Sequence, residues 1–199
     1  ASKSMAEMVC RTYYKSFFET SSTIKIATCR AGNVIGGGDW SNYRIIPDCI
    51  RAWMNQETLS IRNPDAVRPW NYVLDTIWGY FLTAIALDKG TINGESFNFG
   101  PKLEDEITVL ELVEGLWENW SNKDFKPCEV IQDDSNDEKE HKILKLNSDK
   151  SFRVLGWKSS VSIKEGLAQT TNWYLQYQKD PNSIGEYSRE RIADFIKNL

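Results

Sequence analysis

Three arginines in this sequence could bind a phosphate group. Arg44, Arg62 and Arg68 lie close together in the chain and flank two turns. A guanidinium is a planar fork of donors that can hold two phosphate oxygens at once, so such loops suit a diphosphate. Pro69 follows Arg68 and reduces the conformational freedom that Arg68 would lose on binding. The alternative for all three is ordinary surface ion pairing.

Asn33 is the second candidate, and it lies in a glycine-rich segment, R-A-G-N-V-I-G-G-G-D-W, over residues 30–40. Four glycines predict a loop whose backbone closely approaches a neighbour or takes positive φ, although Gly36 to Gly38 alone could be a flexible turn. The segment has neither the G-x-x-x-x-G-K nor the G-x-G-x-x-G spacing. The Asn33 amide could hydrogen bond to a phosphate or a carboxamide.

Two other polar residues are weaker candidates on position alone. Lys3 lies in the first turn of a predicted helix, where a lysine is usually a solvated surface charge. His141 lies in an acidic segment, residues 132–142, and is most simply a surface residue. The carboxylates of that segment are more typical of a solvated loop than of a metal site, so we expect no metal.

Composition excludes several classes of protein. The chain has 199 residues, 41% hydrophobic, with a net charge of −4, which suits a globular domain and gives no basic field for nucleic acid. No stretch approaches the ~20 apolar residues of a membrane span. The four cysteines form no C-x-x-C and no zinc-type spacing with histidine, which favours reduced thiols in a cytoplasmic protein.

The predicted elements place Asn33 at the end of a strand. Residues 2–19 have helical apolar spacing, and 24–29 have the pattern of a buried strand. A helix followed by a strand is half of a βαβ unit, and ligands of an open α/β sheet bind beyond the carboxyl ends of its strands. Further helices are predicted at 45–55, 74–87, 108–120, 148–155 and 162–178, strands near 59–61, 68–73, 96–99 and 129–131, and a tail helix after Pro181. Thr108 with Glu111 and Ser162 with Glu165 have the spacing of capping boxes, and Ser148 is expected to cap its helix. Because the chain opens directly on a helix, we interpret it as the C-terminal portion of a longer protein.

The order of the motifs resembles the nucleotide-sugar branch of the extended short-chain dehydrogenase/reductases. The resemblance runs to about residue 178 and rests on the 30–40 segment, on I-R-N-P, and on V-R-P-W-N-Y-V-L-D. Within that branch the chain is most similar to the 4,6-dehydratases that act on CDP-glucose. Pro69 departs from the R-D-W of the relatives that act on dTDP-glucose.

The resemblance implies an α/β fold. It would be the C-terminal part of an NAD(P)-binding Rossmann-like domain together with a small mixed α/β substrate-binding domain. Residues 1–40 would end the cofactor domain, 41–180 would mainly bind the sugar nucleotide, with a returning segment near 70–100, and 181–199 would be a tail.

The resemblance also assigns residues around an NAD cofactor. Lys3 matches the catalytic lysine of Tyr-x-x-x-Lys, which binds the nicotinamide ribose and favours the phenolate of the tyrosine. Ala31 and Val34 match loop positions near the nicotinamide. The tyrosine and the glycine-rich dinucleotide fingerprint would precede residue 1. We therefore expect the chain alone to be inactive, to hold NAD weakly and to be poorly soluble.

The positions that match substrate contacts in the family are Asn33, Arg44, Leu59, Ile61, Arg62, Arg68 and His141. Asn33 and Arg68 would bind the diphosphate, with Arg44 as a second contact. The strand through Leu59 and Ile61 would line the base and ribose, and His141 falls near a loop that closes over the nucleotide.

The implied activity is NAD-dependent 4,6-dehydration of a nucleotide-activated hexose for deoxysugar or surface-polysaccharide synthesis, by a homodimer when full length. The hydride leaves C4, water is eliminated across C5 and C6, and the hydride returns to C6. Two alternatives remain open at this point. One is an epimerase, reductase or decarboxylase of the same branch, and the other is a non-catalytic nucleotide-sugar-binding module.

Overall fold

The structure is a computed structural model that describes residues 2–20, 23–121, 123–131 and 142–199. In these residues helices and short strands alternate along the chain. The strands are Ala27–Ala31 (β1), Asn33–Ile35 (β2), Leu59–Ile61 (β3), Val67–Arg68 (β4), Trp70–Tyr72 (β5), Glu95–Phe99 (β6), Ile107–Thr108 (β7) and Cys128–Val130 (β8). The α-helices are Ser2–Tyr13 (α1), Ile45–Met54 (α2), Val73–Asp88 (α3), Val109–Glu118 (α4), Asp149–Leu155 (α5), Ile163–Lys179 (α6) and Ile184–Lys197 (α7).

Two parallel strand pairs follow each other along one stretch of chain. β1 pairs with β6 from Ala27 opposite Glu95 to Ala31 opposite Phe99. One residue later the chain changes partner, and β2 pairs with β5. Parallel pairs joined by helical connections are the mark of an α/β fold, which confirms the predicted fold class. The pairing also shows that the chain returns to β1 at residues 95–99, while the predicted division into domains stays a prediction.

Two further pairs lie outside that stretch. β3 pairs with β8 in parallel, and β4 pairs with β7 in antiparallel. Val67 of β4 also forms an isolated bridge with Ile143. The segment that resumes at residue 142 therefore lies against β4.

α1 runs antiparallel to β1. Near the end of β1, Arg30 forms an ion pair with Glu7 in the middle of the helix. At the opposite end of β1, the Tyr14 ring packs on Gly94, the residue just before β6. A Cβ added to Gly94 would lie only 2.2 Å from that ring. The helix predicted over residues 2–19 is confirmed to Phe18, but after Tyr13 it continues as a wider π-helical turn in which the Glu19 amide donates to the Tyr14 carbonyl at 2.8 Å.

The buried side chains form two clusters. The larger one joins α2, α4 and α6 to β2 and β5, and its fully buried members include Ile50, Trp53, Leu112, Leu116 and Tyr174. The smaller cluster packs Phe97 and Phe99 of β6 against Trp157. Seven of the eight tryptophans belong to these clusters or pack against them, so tryptophan side chains mainly hold the fold together.

The helix starts confirm the capping predictions in part. Thr108 and Glu111 form the complete capping box at α4, and the Ser162 hydroxyl accepts from the Glu165 amide at α6. The expectation that Ser148 caps α5 is wrong. Its hydroxyl accepts instead from the Gly100 amide at 2.9 Å, which ties α5 to the end of β6. Among the described residues no helix has the length and apolar character needed to span a membrane.

Candidate functional site

Gly32 joins β1 to β2 and brings Asn33 beside the Arg68–Pro69 segment. The Gly32 amide donates to the Phe99 carbonyl at 3.2 Å, and the Asn33 amide donates to the Pro69 carbonyl at 2.8 Å. A Cβ on Gly32 would lie only 2.0 Å from that Pro69 oxygen, so no other residue fits without moving the backbone. The two residues predicted to bind a diphosphate are thus neighbours through a backbone contact.

Arg68 is held in place before any ligand binds. It is only 8% exposed. Its Nη1 donates to its neighbour's carbonyl, Val67 O, at 2.9 Å and to the Lys142 carbonyl at 3.4 Å. These two hydrogen bonds orient the guanidinium. A preset cation of this kind suits an anionic ligand.

Lys3 lies at the same edge of the sheet as Asn33. Glu7 of α1 pairs with Arg30 near the end of β1, and α1 runs antiparallel to that strand. Lys3 is four residues earlier, about 6 Å further along the helix axis, which corresponds to about two strand residues beyond Arg30. The exposed first turn of α1 therefore lies near the carboxyl end of β1, where Ala31 and the half-exposed Val34 also lie.

The glycine-rich loop approaches a protein side chain. A Cβ on Gly37 would lie 2.0 Å from Cγ of Trp173 in α6, and one on Gly38 would lie 3.3 Å from the same indole. Gly38 also has a φ of +85°, which favours glycine. The sequence correctly predicts a close approach here, but the neighbour is an indole of the protein itself.

Three consecutive carbonyls of this loop accept hydrogen bonds from buried or half-buried side chains. The Tyr174 hydroxyl donates to Asp39 O at 2.7 Å. Arg51 donates from Nη1 to Trp40 O at 3.0 Å and from Nη2 to Ser41 O at 3.2 Å. Residues 36–44, called the 36–44 loop below, are therefore held between α6 and α2.

Two ionisable groups of this arrangement have shifted pKa values. A hydrogen bond from Ser41 lowers the pKa of Asp39, with a smaller contribution from the nearby positive charges of Arg44 and Arg51. Burial raises the pKa of Tyr174 to about 12, so its hydroxyl keeps the proton that it donates to Asp39 O.

Arg44 stands at the exposed end of the 36–44 loop. It is the N-cap residue of α2 and its side chain is exposed. Tyr43 before it is 97% exposed and has a φ of 61°. Arg44 is thus free to reach a ligand, but no described contact joins it to Arg68.

The strand predicted to line the base pocket is mainly a packing element. Ile61 is 3% exposed and belongs to the larger cluster, and Leu59 packs against the same cluster. Ser60 and Arg62 are the exposed residues here. The role assigned to Leu59 and Ile61 stays a prediction, and for the buried Ile61 it would have to use the backbone. His141 lies outside the described residues.

A family model described as GDP-mannose 4,6 dehydratase matches residues 1–170. The chain belongs to the GDP-mannose 4,6-dehydratase family. The match covers the Asn33 and Arg68 region and ends inside α6, so Trp173, Tyr174 and α7 lie beyond it.

Among curated proteins, this family member is 34% identical to the CDP-glucose 4,6-dehydratase of Salmonella typhimurium, over 98% of the chain and 54% of that protein. It is 26% identical to the dTDP-glucose 4,6-dehydratase of Xanthomonas campestris pv. campestris, over 97% of the chain and 54% of that protein. The chain thus spans about half the length of these relatives.

Solved structures show the same fold. One is the UDP-glucuronic acid 4-epimerase of Bacillus cereus in complex with UDP-glucuronic acid and NAD, with a TM-score of 0.69, 21% identity, and 85% of this chain aligned to 50% of that one. Another is the dTDP-glucose 4,6-dehydratase of Streptomyces venezuelae with NAD bound. Its TM-score is 0.68 at 23% identity, and 91% of this chain is aligned to 51% of that one.

In this member of the GDP-mannose 4,6-dehydratase family, Asp75 anchors the loop that follows α5. The carboxylate is fully buried and accepts from the Ser159 hydroxyl, from the amide and hydroxyl of Ser160, and from the Val161 amide. The Trp157 indole donates to the Asp75 carbonyl at 2.9 Å. Asp75 lies in the first turn of α3, which follows β5 directly, so this network holds the end of the strand that pairs with β2.

Sequence reasoning missed Arg51, Trp173 and Tyr174 as parts of the site region. Arg51 and Tyr174 donate to backbone carbonyls, and a hydrogen bond to a carbonyl leaves no trace in the identity of the accepting residue. The run of three glycines was the available signal, because it predicts that something bulky packs there.

Within the described ranges, no group of three or more potential metal-ligating side chains occurs.

Proposed function

We propose that this chain provides the sugar-nucleotide side of an NAD-dependent nucleotide-sugar 4,6-dehydratase, with CDP-glucose as the substrate. The observation that carries the proposal is the contact of Asn33 with the Arg68–Pro69 segment, just beyond the carboxyl end of the parallel β1–β6 pair. The identity to a CDP-glucose 4,6-dehydratase over nearly the whole chain supports the choice of base.

In this proposal the diphosphate lies between the side-chain amide of Asn33 and the guanidinium of Arg68. Arg68 is preset by the Val67 and Lys142 carbonyls, so little side-chain entropy is lost when a phosphate binds. Arg44, on the exposed end of the 36–44 loop, adds a second cation. The strand around Ser60 and Arg62 faces the nucleoside.

The described residues fit one side of an NAD site. In this proposal the Lys3 ammonium lies near Ala31 and Val34, where it would bind the nicotinamide ribose hydroxyls. The solved relatives with NAD bound support the same cofactor here. The chemistry that NAD supplies when bound is hydride transfer, which lets C4 be oxidised and C6 be reduced with no net redox change.

The chain's own contribution to the reaction is binding and charge placement. Arg68 and Asn33 hold the diphosphate and thereby fix where the hexose lies relative to Lys3. A positive charge at Lys3 favours the ionised form of a nearby phenol, which helps a proton leave the C4 hydroxyl. The product would be a 4-keto-6-deoxy sugar for deoxysugar or surface-polysaccharide synthesis.

The test is a substrate panel with the complete enzyme and a variant at the diphosphate contact. CDP-, dTDP-, GDP- and UDP-glucose are supplied in turn, and the 4-keto-6-deoxy product is measured. We expect the highest kcat/KM with CDP-glucose. Epimerised product, or equal use of all four substrates, would contradict the proposal.

Asn33→Asp tests the site itself. It keeps the shape of the side chain but places a negative charge opposite the diphosphate, so CDP binding should weaken by about 1.5–3 kcal/mol, or about tenfold to a hundredfold. The control is Asn172→Asp on the exposed side of α6, which should leave the Kd unchanged. An unchanged Kd for Asn33→Asp would remove Asn33 from the site.

The proposal includes a cytoplasmic homodimer for the full-length protein. The exposed apolar side chains of α1 support a protein interface on that helix: Met5 is 58%, Met8 69% and Val9 56% exposed. Sedimentation equilibrium of the complete enzyme measures the oligomeric state, and a monomer at micromolar concentration would contradict this part.

A further inference from the structure

We infer that the C-terminal part of α6, backed by α7, is a positioning element for the nucleotide-diphosphate site, with Tyr174 and Trp173 as its positioning residues. The inference rests on the proposed function, because it concerns how Asn33 and Arg44 are held relative to each other. These two residues lie before and at the end of the 36–44 loop, so the shape of that loop sets the distance between them.

The first support is the packing of Trp173 under the loop. The indole lies where side chains at Gly37 and Gly38 would be, which makes the backbone rest directly on the ring. The ring of Trp173 stacks on that of Tyr177 with an interplanar angle of 5°, and Trp40 contacts both Tyr174 and Tyr177. A loop resting on a rigid aromatic surface has few alternative conformations.

The second support is the hydrogen bonding of the loop carbonyls. Asp39 O accepts from Tyr174, while Trp40 O and Ser41 O accept from Arg51 of α2. Exposed loop carbonyls are ordinarily satisfied by water, which imposes no shape. Here side chains from two separate helices fix three consecutive peptide groups, and α2 is the helix that Arg44 caps.

The third support is the position of α7. The Trp173 indole donates to the Ser188 hydroxyl of α7 at 2.9 Å, which holds the ring in its orientation. All these side chains except Arg51 and Trp40 lie beyond residue 170, where the family model ends. The geometry thus places residues outside the matched region in contact with a loop inside it.

The experiment compares two conservative variants of α6 in the complete enzyme. Tyr174→Phe removes the hydroxyl that binds Asp39 O. Thr171→Val is the matched control, because the buried Thr171 hydroxyl also donates to a backbone carbonyl, that of Leu116 in α4, at 3.2 Å. Both variants lose one hydrogen bond from the same helix, and both should lower the melting temperature by similar amounts.

Only Tyr174→Phe should change the loop and the ligand. We expect faster amide hydrogen exchange in peptides covering residues 36–44, a CDP Kd raised about threefold to tenfold, and a kcat within about twofold of the wild type. Ser188→Ala should act in the same direction with a smaller change in Kd. Thr171→Val should leave exchange of the loop, Kd and kcat as in the wild type.

The outcomes separate this inference from the proposed function. If the wild-type enzyme binds CDP and Tyr174→Phe leaves the Kd unchanged, the positioning role is overturned while the proposed function stands. Equal effects of Tyr174→Phe and Thr171→Val on the Kd would also overturn it, since the effect would then be general loss of stability. A wild-type enzyme that binds no nucleoside diphosphate would overturn both.

Discussion

At the scale of single residues, Gly32 decides whether Asn33 can lie beside the Arg68–Pro69 segment, as the proposed diphosphate site requires. Gly32→Ala would place a Cβ 2.0 Å from the Pro69 oxygen, so the strand change from β1 to β2 would have to shift. We expect a loss of roughly 3 kcal/mol in the free energy of unfolding, at the scale of strained or overpacked sites. Urea denaturation followed by circular dichroism measures it.

Gly185→Ala is the matched control for that substitution. Gly185 lies in α7 with no atom within 4 Å of the added Cβ, so alanine should be neutral or stabilise by up to about 1 kcal/mol. A Gly32→Ala variant as stable as the wild type would show that the backbone at Gly32 can move away from Pro69 at little cost.

The residues themselves predicted only part of the site. Asn33 and Arg68 could be singled out because an amide and a guanidinium suit a phosphate in any setting. Their being neighbours depends on the Asn33–Pro69 hydrogen bond, which is a property of the folded backbone. The role of Ile61 could not be predicted from the sequence, because an apolar residue in a strand has the same pattern whether it lines a pocket or the core.

At the scale of elements, the buried Asp75 network joins the start of α3 to residues 157–161. Asp75→Asn would turn an NH₂ group toward donors such as the Val161 amide and the Ser160 amide. We expect a loss of about 2–4 kcal/mol in the free energy of unfolding, since a buried charged acceptor loses its donors. Urea denaturation at pH 7 measures the change.

Asp88→Asn tests whether that loss is specific. Asp88 is the last residue of the same helix and is exposed, so its substitution should change stability by less than about 0.5 kcal/mol. Equal effects of the two substitutions would mean that the Asp75 network contributes little.

Element types were largely predictable, whereas their ends and their partners were not. Periodicity predicts α3 and α6 well because long helices repeat their pattern many times. The last turn of the first helix could not be anticipated, since the choice between α and π hydrogen bonding at Glu19 is made by the backbone. Ser148 fitted a capping pattern, but the Gly100 amide competes for its hydroxyl.

At the scale of the whole molecule, Cys49 reports on the integrity of the larger cluster. Burial raises the pKa of its thiol well above the usual value, so at pH 8 it stays protonated and unreactive while the fold is intact. Cys10 is half-buried on α1. In the native state we expect a disulfide reagent to label Cys49 about a thousandfold more slowly than Cys10, because labelling requires unfolding.

Mass spectrometry of tryptic peptides distinguishes the two thiols, and Cys10→Ser confirms the assignment. In urea above the unfolding midpoint the two cysteines should be labelled at similar rates. Rapid labelling of Cys49 without denaturant would show that the larger cluster opens far more easily than its burial indicates.

The parallel pairing of β3 with β8, and of β1 with β6, has a consequence for how the protein is made. Residues 59–61 must wait for 128–130, and residues 27–31 for 95–99, before either ladder can close. Such distant pairings close slowly, because the entropy of a long loop is lost before any hydrogen bond forms. On the ribosome, β1 therefore emerges long before β6, and its backbone groups stay unpaired with their native partner in the meantime.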